Sequence, residues 1–151
     1  MRGDVLLRNV EQDDLVYFFE QQLDPAATHM AAFPSREKDD FLDHWEKILA
    51  DETIIKETIL YNGEVAGNIV SFVNNGNREV GYWLGRKYWG KGIATRALIE
   101  FLEYVTERPL YAFVARNNIA SIRVLEKCGF EVYGEDRDFS SMDGEKVEGL
   151  I

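Results

Sequence analysis

Residues 78–106 read REVGYWLGRKYWGKGIATRALIEFLEYVT, and the fold depends on this stretch. The apolar segment Val80–Leu84 predicts a strand, and Gly90 and Gly92 predict a turn. A helix follows, which should end before Pro109. Its apolar stripe consists of Ala94, Ala97, Leu98, Phe101, Leu102 and Val105. The open end of a helix therefore comes directly after a strand.

The start of this helix is a predicted anion-binding site. The first N–H groups of a helix have no partner within it, and the helix dipole adds partial positive charge there. The glycines let a ligand approach the backbone, and Lys91 adds a full positive charge. The site would suit a phosphate or pyrophosphate, although an ordinary glycine turn explains a lone G-x-G equally well.

Two common phosphate-binding motifs do not fit this turn. The GxxxxGK[ST] spacing of a P-loop does not occur in the sequence. The dinucleotide fingerprint GxGxx[GA] fails because Thr95 occupies its third glycine position. That fingerprint also belongs in a βαβ unit, whereas three strands of antiparallel type are predicted before the turn. A dinucleotide is therefore not the expected ligand.

The glycine turn and a second segment together resemble the GNAT N-acetyltransferases. Their signature [QR]-x-x-G-x-[GA] corresponds to Trp89–Ala94, with Trp89 in place of the polar first residue. A second family segment, N-x-x-[AS]-x-x-x-L-x-K-x-G-F, reads NIASIRVLEKCGF from Asn118 to Phe130. The segment YWGKGIAT, residues 88–95, is similar to the same segment of the ribosomal-protein-alanine N-acetyltransferases and their relatives. With the flanking strands, the resemblance covers most of the chain.

The remaining pattern predicts an α/β protein with the element order β-α-α-β-β-β-α-β-α-β-β. The resemblance implies the GNAT fold, a mixed and largely antiparallel sheet flanked by about four helices. Asp13 and Asp14 favour the start of the first helix, Ser35 is a candidate cap for the second, and Asn118 for the fourth. Asn62-Gly63 predicts a type I′ hairpin. The predicted strands are Val5–Val10, Thr53–Tyr61, Glu64–Val73, Arg78–Leu84, Leu110–Val114, Phe130–Phe139 and Lys146–Ile151.

Composition favours one soluble domain over residues 1–151. Hydrophobic residues make up 46% of the chain and charged residues 29%, and no apolar run approaches the roughly 20 residues of a membrane span. The start has no signal-peptide pattern, and one cysteine cannot form an internal disulfide, so we expect a cytoplasmic protein. The net charge of −10 argues against nucleic-acid binding; it serves solubility or favours a cationic acceptor. A homodimer is compatible with the sequence.

The resemblance implies acetyl-CoA as the cosubstrate. The backbone near Leu84 would pair with the pantetheine arm, and an amide beside it would face the thioester oxygen. Asn118 and Ser121 would contact the cosubstrate from the next helix, although a helix cap alone also explains Asn118. The loop residues implied in binding are Trp89, Gly90, Lys91, Gly92, Ile93, Ala94 and Thr95, with the amides from Gly90 to Thr95 holding the pyrophosphate.

The residue at the usual general-acid position differs from that of many family members. Many members carry a Tyr seven residues after this Asn, and here that position is Leu125. Ser121, one helical turn after Asn118, is the expected donor to the departing thiolate. The alternative is that a small residue at this position only lets CoA pass close to the helix.

The general base is a choice among candidates. Glu79 could act through water, but strand alternation puts it on the opposite face from Tyr82 and Leu84, and a solvated carboxylate is the alternative. Tyr82 could orient the acceptor or simply pack in the core. Asp138 is a further candidate.

Three further features complete the prediction. The segment AATHMAAFP, residues 26–34, is a candidate wall of the acceptor site, or else Met30 and Phe33 pack in the core. Cys128 lies on an apolar helix face and reads as an inert thiol. His29 and His44 lack metal-ligand spacing, so no metal is expected.

The expected reaction is direct acetyl transfer in a ternary complex to a primary amine, either a protein or peptide N-terminus or a small amine. The alternative is a non-catalytic acyl-CoA-binding or protein-interaction module.

Overall fold

The computed structural model describes residues 4–23, 37–74, 76–115, 118–136 and 147–150. Its strands are β1 (Val5–Asn9), β2 (Ile55–Tyr61), β3 (Glu64–Asn74), β4 (Asn77–Leu84), β5 (Leu110–Ala115), β6 (Val132–Asp136) and β7 (Val147–Leu150). Its helices are α1 (Leu15–Gln22), α2 (Lys38–Ala50), α3 (Ile93–Tyr104) and α4 (Ile119–Lys127). Short 3-10 turns span Gln12–Asp14 and Arg86–Tyr88. The predicted order of strands and helices is confirmed.

The described strands form one seven-stranded sheet in the order β1-β2-β3-β4-β5-β7-β6. Strands β4 and β5 run parallel, and every other neighbouring pair is antiparallel. The mixed, largely antiparallel sheet expected from the sequence is therefore confirmed. None of the helices in the described ranges has the length and apolar character needed to cross a membrane.

The hairpin between β2 and β3 has the predicted turn. Asn62 and Gly63 have φ angles of 52° and 83°, and a type I′ turn requires positive values at both positions. The Asn62 side chain also accepts a hydrogen bond from the Asp4 backbone N–H at 2.8 Å, while the Asn62 N–H donates to the Asp4 carbonyl at 2.9 Å. The turn therefore fixes both the β2–β3 register and the start of β1.

The sheet separates two apolar cores. On one face, α3 and α4 pack against strand residues such as Ile69, Val80 and Leu84. On the other face, α1 and α2 form a smaller core, in which the rings of Phe18 and Trp45 lie 5.0 Å apart. Because side chains alternate along a strand, the odd-numbered residues of β4 face the α1–α2 side.

The ladder between β4 and β5 is short. Only Arg78 with Leu110 and Glu79 with Tyr111 are paired, although β4 continues to Leu84 and β5 to Ala115. The C-terminal half of β4 is therefore paired with β3 on one side and unpaired with β5 on the other. The sheet opens at this point.

Some boundaries differ from the prediction. Asp13 and Asp14 lie at the predicted helix start: they belong to the 3-10 turn Gln12–Asp14, and Asp14 is the N-cap of α1, which begins at Leu15. Helix α2 begins at Lys38, with Glu37 at its N-cap. The candidate cap Ser35, the segment 26–34, Asp138 and the last hairpin turn lie outside the described residues.

Candidate active site

A cavity of about 390 Å³ lies where the sheet opens, bounded by β4, the loop 85–92, the start of α3 and α4. It brings together most of the residues singled out in the sequence. Lys91 and Glu79 are not among its lining residues. The lining residues are Tyr82, Trp83, Leu84, Tyr88, Trp89, Gly90, Gly92, Ile93, Ala94, Thr95, Asn118, Ala120, Ser121, Arg123, Val124 and Lys127.

The start of α3 presents backbone N–H groups to this cavity. The first helical hydrogen bond runs from the Arg96 N–H to the Gly92 carbonyl, so the N–H groups of residues 93–95 precede the helical ladder. Gly92 is the N-cap, with φ of 75°. A Cβ added there would meet no protein atom within 4 Å, so this side of the backbone is open to a ligand. The arrangement fits a bound phosphate group.

Side-chain bonds hold the loop that carries this helix start. The indole Nε1 of Trp89 donates to the Leu84 carbonyl at 3.1 Å, which ties the loop to the last residue of β4. The buried Tyr88 donates its hydroxyl to the Glu64 carboxylate at 3.0 Å, at the start of β3. Trp89, which replaces a polar residue in the family signature, therefore fastens the loop to the strand.

Asn118 is the N-cap of α4. Its side-chain oxygen accepts a hydrogen bond from the Ser121 backbone N–H at 3.2 Å, which confirms the predicted cap. Asn118 also lines the cavity. The cap and a contact with a ligand are thus compatible.

Tyr82 and Ser121 form a hydrogen bond across the cavity wall. Their oxygens, Oη and Oγ, lie 2.6 Å apart, and either can be the donor. Burial raises the pKa of Tyr82 to about 12, because the phenolate loses hydration; the bond to Ser121 opposes this only in part, and nearby Cys128 adds to it. Tyr82 is therefore neutral across the physiological pH range. The sequence offered no sign of this pair, since its members are 39 residues apart.

Glu79 lies away from the cavity. The β3–β4 register runs without a shift from Asn74 with Asn77 to Gly67 with Leu84, so no bulge changes the alternation along β4. Glu79 therefore faces the side opposite to Tyr82, and it is only 7% exposed. This burial contradicts the alternative of a solvated carboxylate, while the use of Glu79 as a base stays a prediction.

Two cations in the cavity wall, Arg123 and Lys127, were not predicted from the sequence. Ala120, Arg123, Val124 and Lys127 all line the cavity from α4. They follow the helical spacing i, i+3, i+4, i+7, on the face beside the apolar stripe of Ile122 and Leu125. This periodicity, which begins at Ala120, is the sequence signal that indicates their shared face. They place two positive charges at the cavity of an acidic chain.

The Cys128 thiol, the Trp83 indole and possible metal ligands were also compared with the cavity. The Cys128 thiol donates weakly to the Thr95 carbonyl at 3.8 Å, and burial raises its pKa, which fits an inert thiol. Trp83 lines the cavity, and its Nε1 is buried with no hydrogen-bond partner among the described residues. Within those residues, no group of three or more His, Cys, Asp or Glu side chains could hold a metal.

Comparison with known proteins identifies the family. Residues 4–131 match the model of the Acetyltransferase (GNAT) domain. The chain belongs to the GNAT acetyltransferase family. The glycine turn at the start of α3 and the segment beginning at Asn118 are therefore parts of a GNAT domain.

Relatives of this GNAT chain include two Bacillus proteins. The uncharacterized N-acetyltransferase p20 of Bacillus licheniformis is 32% identical over 99 residues, and the match covers 63% of this chain and 55% of the relative. The putative ribosomal N-acetyltransferase YdaF of Bacillus subtilis is 26% identical, covering 94% of this chain and 77% of the relative. The chain thus spans about half the length of the first of these relatives.

A solved structure gives the same fold. Spermidine N-acetyltransferase from Vibrio cholerae, in complex with CoA and spermine, superposes with a TM-score of 0.83 over 97% of this chain and 93% of that chain. The sequence identity is 19%, so this likeness concerns the fold alone.

Proposed function

We propose that this chain is an acetyl-CoA-dependent N-acetyltransferase that moves an acetyl group directly to a primary amine in a ternary complex. One observation carries the proposal: a single cavity joins the open start of α3 to the hydrogen-bonded hydroxyls of Tyr82 and Ser121. The first feature suits the phosphates of CoA, and the second suits the proton transfers of acetyl transfer.

The residues present fit acetyl-CoA. The N–H groups of residues 93–95 would hold the pyrophosphate, and Gly92 leaves space for its approach. Arg123 and Lys127 would supply positive charge to the CoA phosphates from the facing helix. Lys91, exposed and outside the cavity lining, would add only a minor share. When bound, acetyl-CoA supplies the activated thioester.

Direct transfer is favoured over an acyl-enzyme. A covalent route needs an activated nucleophile beside a base. Cys128 is not among the lining residues, and its raised pKa disfavours the thiolate. Ser121 is bonded to a neutral tyrosine rather than to a base. The amine would therefore attack the thioester itself. The Gly85 N–H donates to the Ala66 carbonyl at 2.9 Å, so it would not be the amide that faces the thioester oxygen.

The acceptor is proposed as a primary amine, either a protein or peptide N-terminus or a small cationic amine. YdaF is a putative ribosomal N-acetyltransferase, and the Vibrio enzyme is bound to spermine, so both proteins support an amine acceptor. The chain's net charge of −10 would favour a cation. The reaction would take place in the cytoplasm, where a chain with one cysteine is stable.

Two measurements test this function. Calorimetry with CoA and acetyl-CoA should show binding, and release of the free thiol should show turnover over a panel of polyamines, aminoglycosides, amino acids and peptides. No binding at millimolar cosubstrate would overturn the proposal. Binding without turnover on any amine would instead support the non-catalytic acyl-CoA module.

A further inference from the structure

We propose that the Tyr82 and Ser121 hydroxyls form a relay that carries the proton lost by the acceptor amine to the departing thiolate. This inference rests on the proposed acetyl transfer. It assigns one joint role to two residues from separate elements, β4 and the first turn of α4.

The geometry suits a relay. The two oxygens are 2.6 Å apart, a short distance for an O–H···O bond, and both residues line the cavity. The N–H of Ser121 is bonded to the Asn118 cap, which fixes the position of the serine. The Tyr82 ring is packed against the core beside α3 and α4, which fixes the tyrosine. A proton can lie on either oxygen without movement of the backbone.

Neither hydroxyl suffices as a proton donor by itself. A thiol has a pKa near 8.5, and a serine hydroxyl is a much weaker acid. Ser121 would be left as an alkoxide, a stronger base than the thiolate it had just protonated. The pKa of Tyr82 is about 12, so a phenolate would be unfavourable as well. Each hydroxyl can, however, pass a proton on if it receives another at the same time.

The step balances without an ionised side chain. The ammonium first gives one proton to solvent. The lone pair of the resulting neutral amine forms the new C–N bond, the C–S bond breaks, and its electron pair goes to sulfur. One amine proton moves to Tyr82 Oη, the Tyr82 proton moves to Ser121 Oγ, and the Ser121 proton moves to sulfur. The products are the acetamide and the CoA thiol, and both side chains end neutral as they began.

The relay accounts for one departure of this chain from the family pattern and for the position of its candidate base. Leu125 occupies the position where many members have a tyrosine that acts as the general acid, and Leu125 is buried in the core. Glu79, the candidate base, is outside the cavity lining. The other ionisable lining side chains have different uses, since Tyr88 is bonded to Glu64, and Arg123 and Lys127 are cations suited to phosphates.

Single-turnover rates of three variants test the relay: Tyr82→Phe, Ser121→Ala and the double variant. Each single change should lower the rate by about tenfold to a hundredfold, at or below the low end for a positioned proton transfer, while calorimetry shows unchanged CoA affinity. The double variant should be no slower than the slower single variant, because either change breaks the same chain of protons. Losses that multiply in the double variant would overturn the relay.

Solvent isotope effects give a second readout that packing would not alter. The wild-type protein should show a curved proton inventory, because several protons move in one step, and Tyr82→Phe should lose that curvature. Curvature that persists in Tyr82→Phe would contradict the proposal. Ser121→Thr keeps a hydroxyl and should retain most of the rate.

Tyr104→Phe is the matched control, because it removes a hydroxyl that interacts with Glu57 outside the cavity. Its rate should equal that of wild type. If Tyr82→Phe failed to fold, Ser121→Ala would still break the relay at its other link. If the wild-type protein acetylates an amine and the variants react at the wild-type rate, the relay alone is overturned. If the wild-type protein acetylates no amine, the proposed function is overturned together with the relay.

Discussion

At the scale of single residues, Asp14 shows how a buried carboxylate is held. Burial favours its neutral form, but its hydrogen bonds outweigh this and lower its pKa. Arg8 donates to its two oxygens at 2.7 and 2.8 Å, the Thr58 hydroxyl donates at 2.7 Å, and the Glu11 N–H donates at 2.9 Å. The cluster joins β1, β2 and the turn before α1.

Asp14→Asn should therefore destabilise the fold. We expect a loss of about 2–3 kcal/mol at pH 7, below that of a fully buried pair because the Arg8 side chain is 33% exposed. The folded-state pKa lies below the unfolded value near 3.9, so this stability is present above about pH 4 and is lost as the pH falls through the folded-state pKa. Urea unfolding at several pH values measures it.

The neighbouring Asp13 supplies the control for this change. Asp13 is exposed, so Asp13→Asn should alter the free energy of unfolding by no more than about 0.5 kcal/mol. Equal losses for the two variants, or a loss for Asp14→Asn that persists unchanged in acid, would contradict the assignment.

Gly92 has two roles that a matched pair of variants separates. An alanine at its φ of 75° is strained and should cost about 1–2 kcal/mol of stability. Its methyl group would also point into the open side of the cavity wall, so CoA binding should weaken by about tenfold or more. Both the stability of the fold and the affinity for CoA should therefore fall.

Gly63 provides the comparison, because its φ is 83° and a Cβ there also meets nothing within 4 Å. Gly63→Ala should lose similar stability yet bind CoA normally, as measured by thermal unfolding and calorimetry. If Gly92→Ala kept its CoA affinity, the turn would have a structural role only. Lys91→Ala should cost less affinity than Gly92→Ala, because the backbone amides remain.

At the scale of elements, α4 has a different chemistry on each side. Leu125 and Ile122 pack into the core with α3. Arg123 and Lys127 face the cavity, with the small Ala120 between them and the cap. The helix therefore anchors itself with one side and presents charge to a ligand with the other.

Removing both cations from α4 should weaken CoA binding. Arg123→Ala with Lys127→Ala should raise the CoA Kd by about tenfold, since each exposed cation contributes up to about 1 kcal/mol. The effect should shrink at high salt, which screens exposed charge. Pantetheine has no phosphates, so its affinity should not change.

Helix α2 offers a control with the same change in net charge. Lys38 and Lys47 are exposed and lie outside the cavity lining. Alanine at both positions should leave the CoA Kd as in wild type. A similar loss in both double variants would show that only the overall charge matters.

Local signals explain why the elements could be predicted. The hairpin follows from Asn62-Gly63 and α3 from its apolar stripe, because these depend on neighbouring residues. The pairing of Tyr82 with Ser121 depends on how α4 docks against β4, which no local pattern encodes. The same holds for the Asp14 cluster, whose partner Thr58 is 44 residues away. The glycine turn, the helix start and the two separate hydroxyl candidates could therefore be predicted from the sequence, whereas the contact between Tyr82 and Ser121 could not.

At the scale of the whole molecule, the spatial order of the strands was the hardest feature to predict. The seven strands were expected from sequence, yet β7 lies between β5 and β6. Sequential strands usually pair, and the first four do so. The position of β7 is set by long-range pairing with β5, where Ala112 is opposite Leu150.

The short β4–β5 ladder has a consequence for cooperativity. Two paired positions join the first four strands to the last three, so the sheet is weakest between β4 and β5. Proteins open locally where few bonds cross a boundary. We therefore expect amides of β5 to exchange with deuterium sooner than those of the β2–β3 pair, which is paired over the whole of β2 from Ile55 to Tyr61.

A ligand seated between β4 and α4 would act as a clasp across that boundary. At a hundred times its Kd, CoA should add up to about 2.7 kcal/mol to the opening free energy. Hydrogen exchange with and without CoA should then show slower exchange in β5, while local fraying at the Asn62-Gly63 turn is unchanged. Uniform slowing would mean that the two parts already open together. The cosubstrate would thus complete the mechanical continuity of a sheet that its own strands leave partly divided.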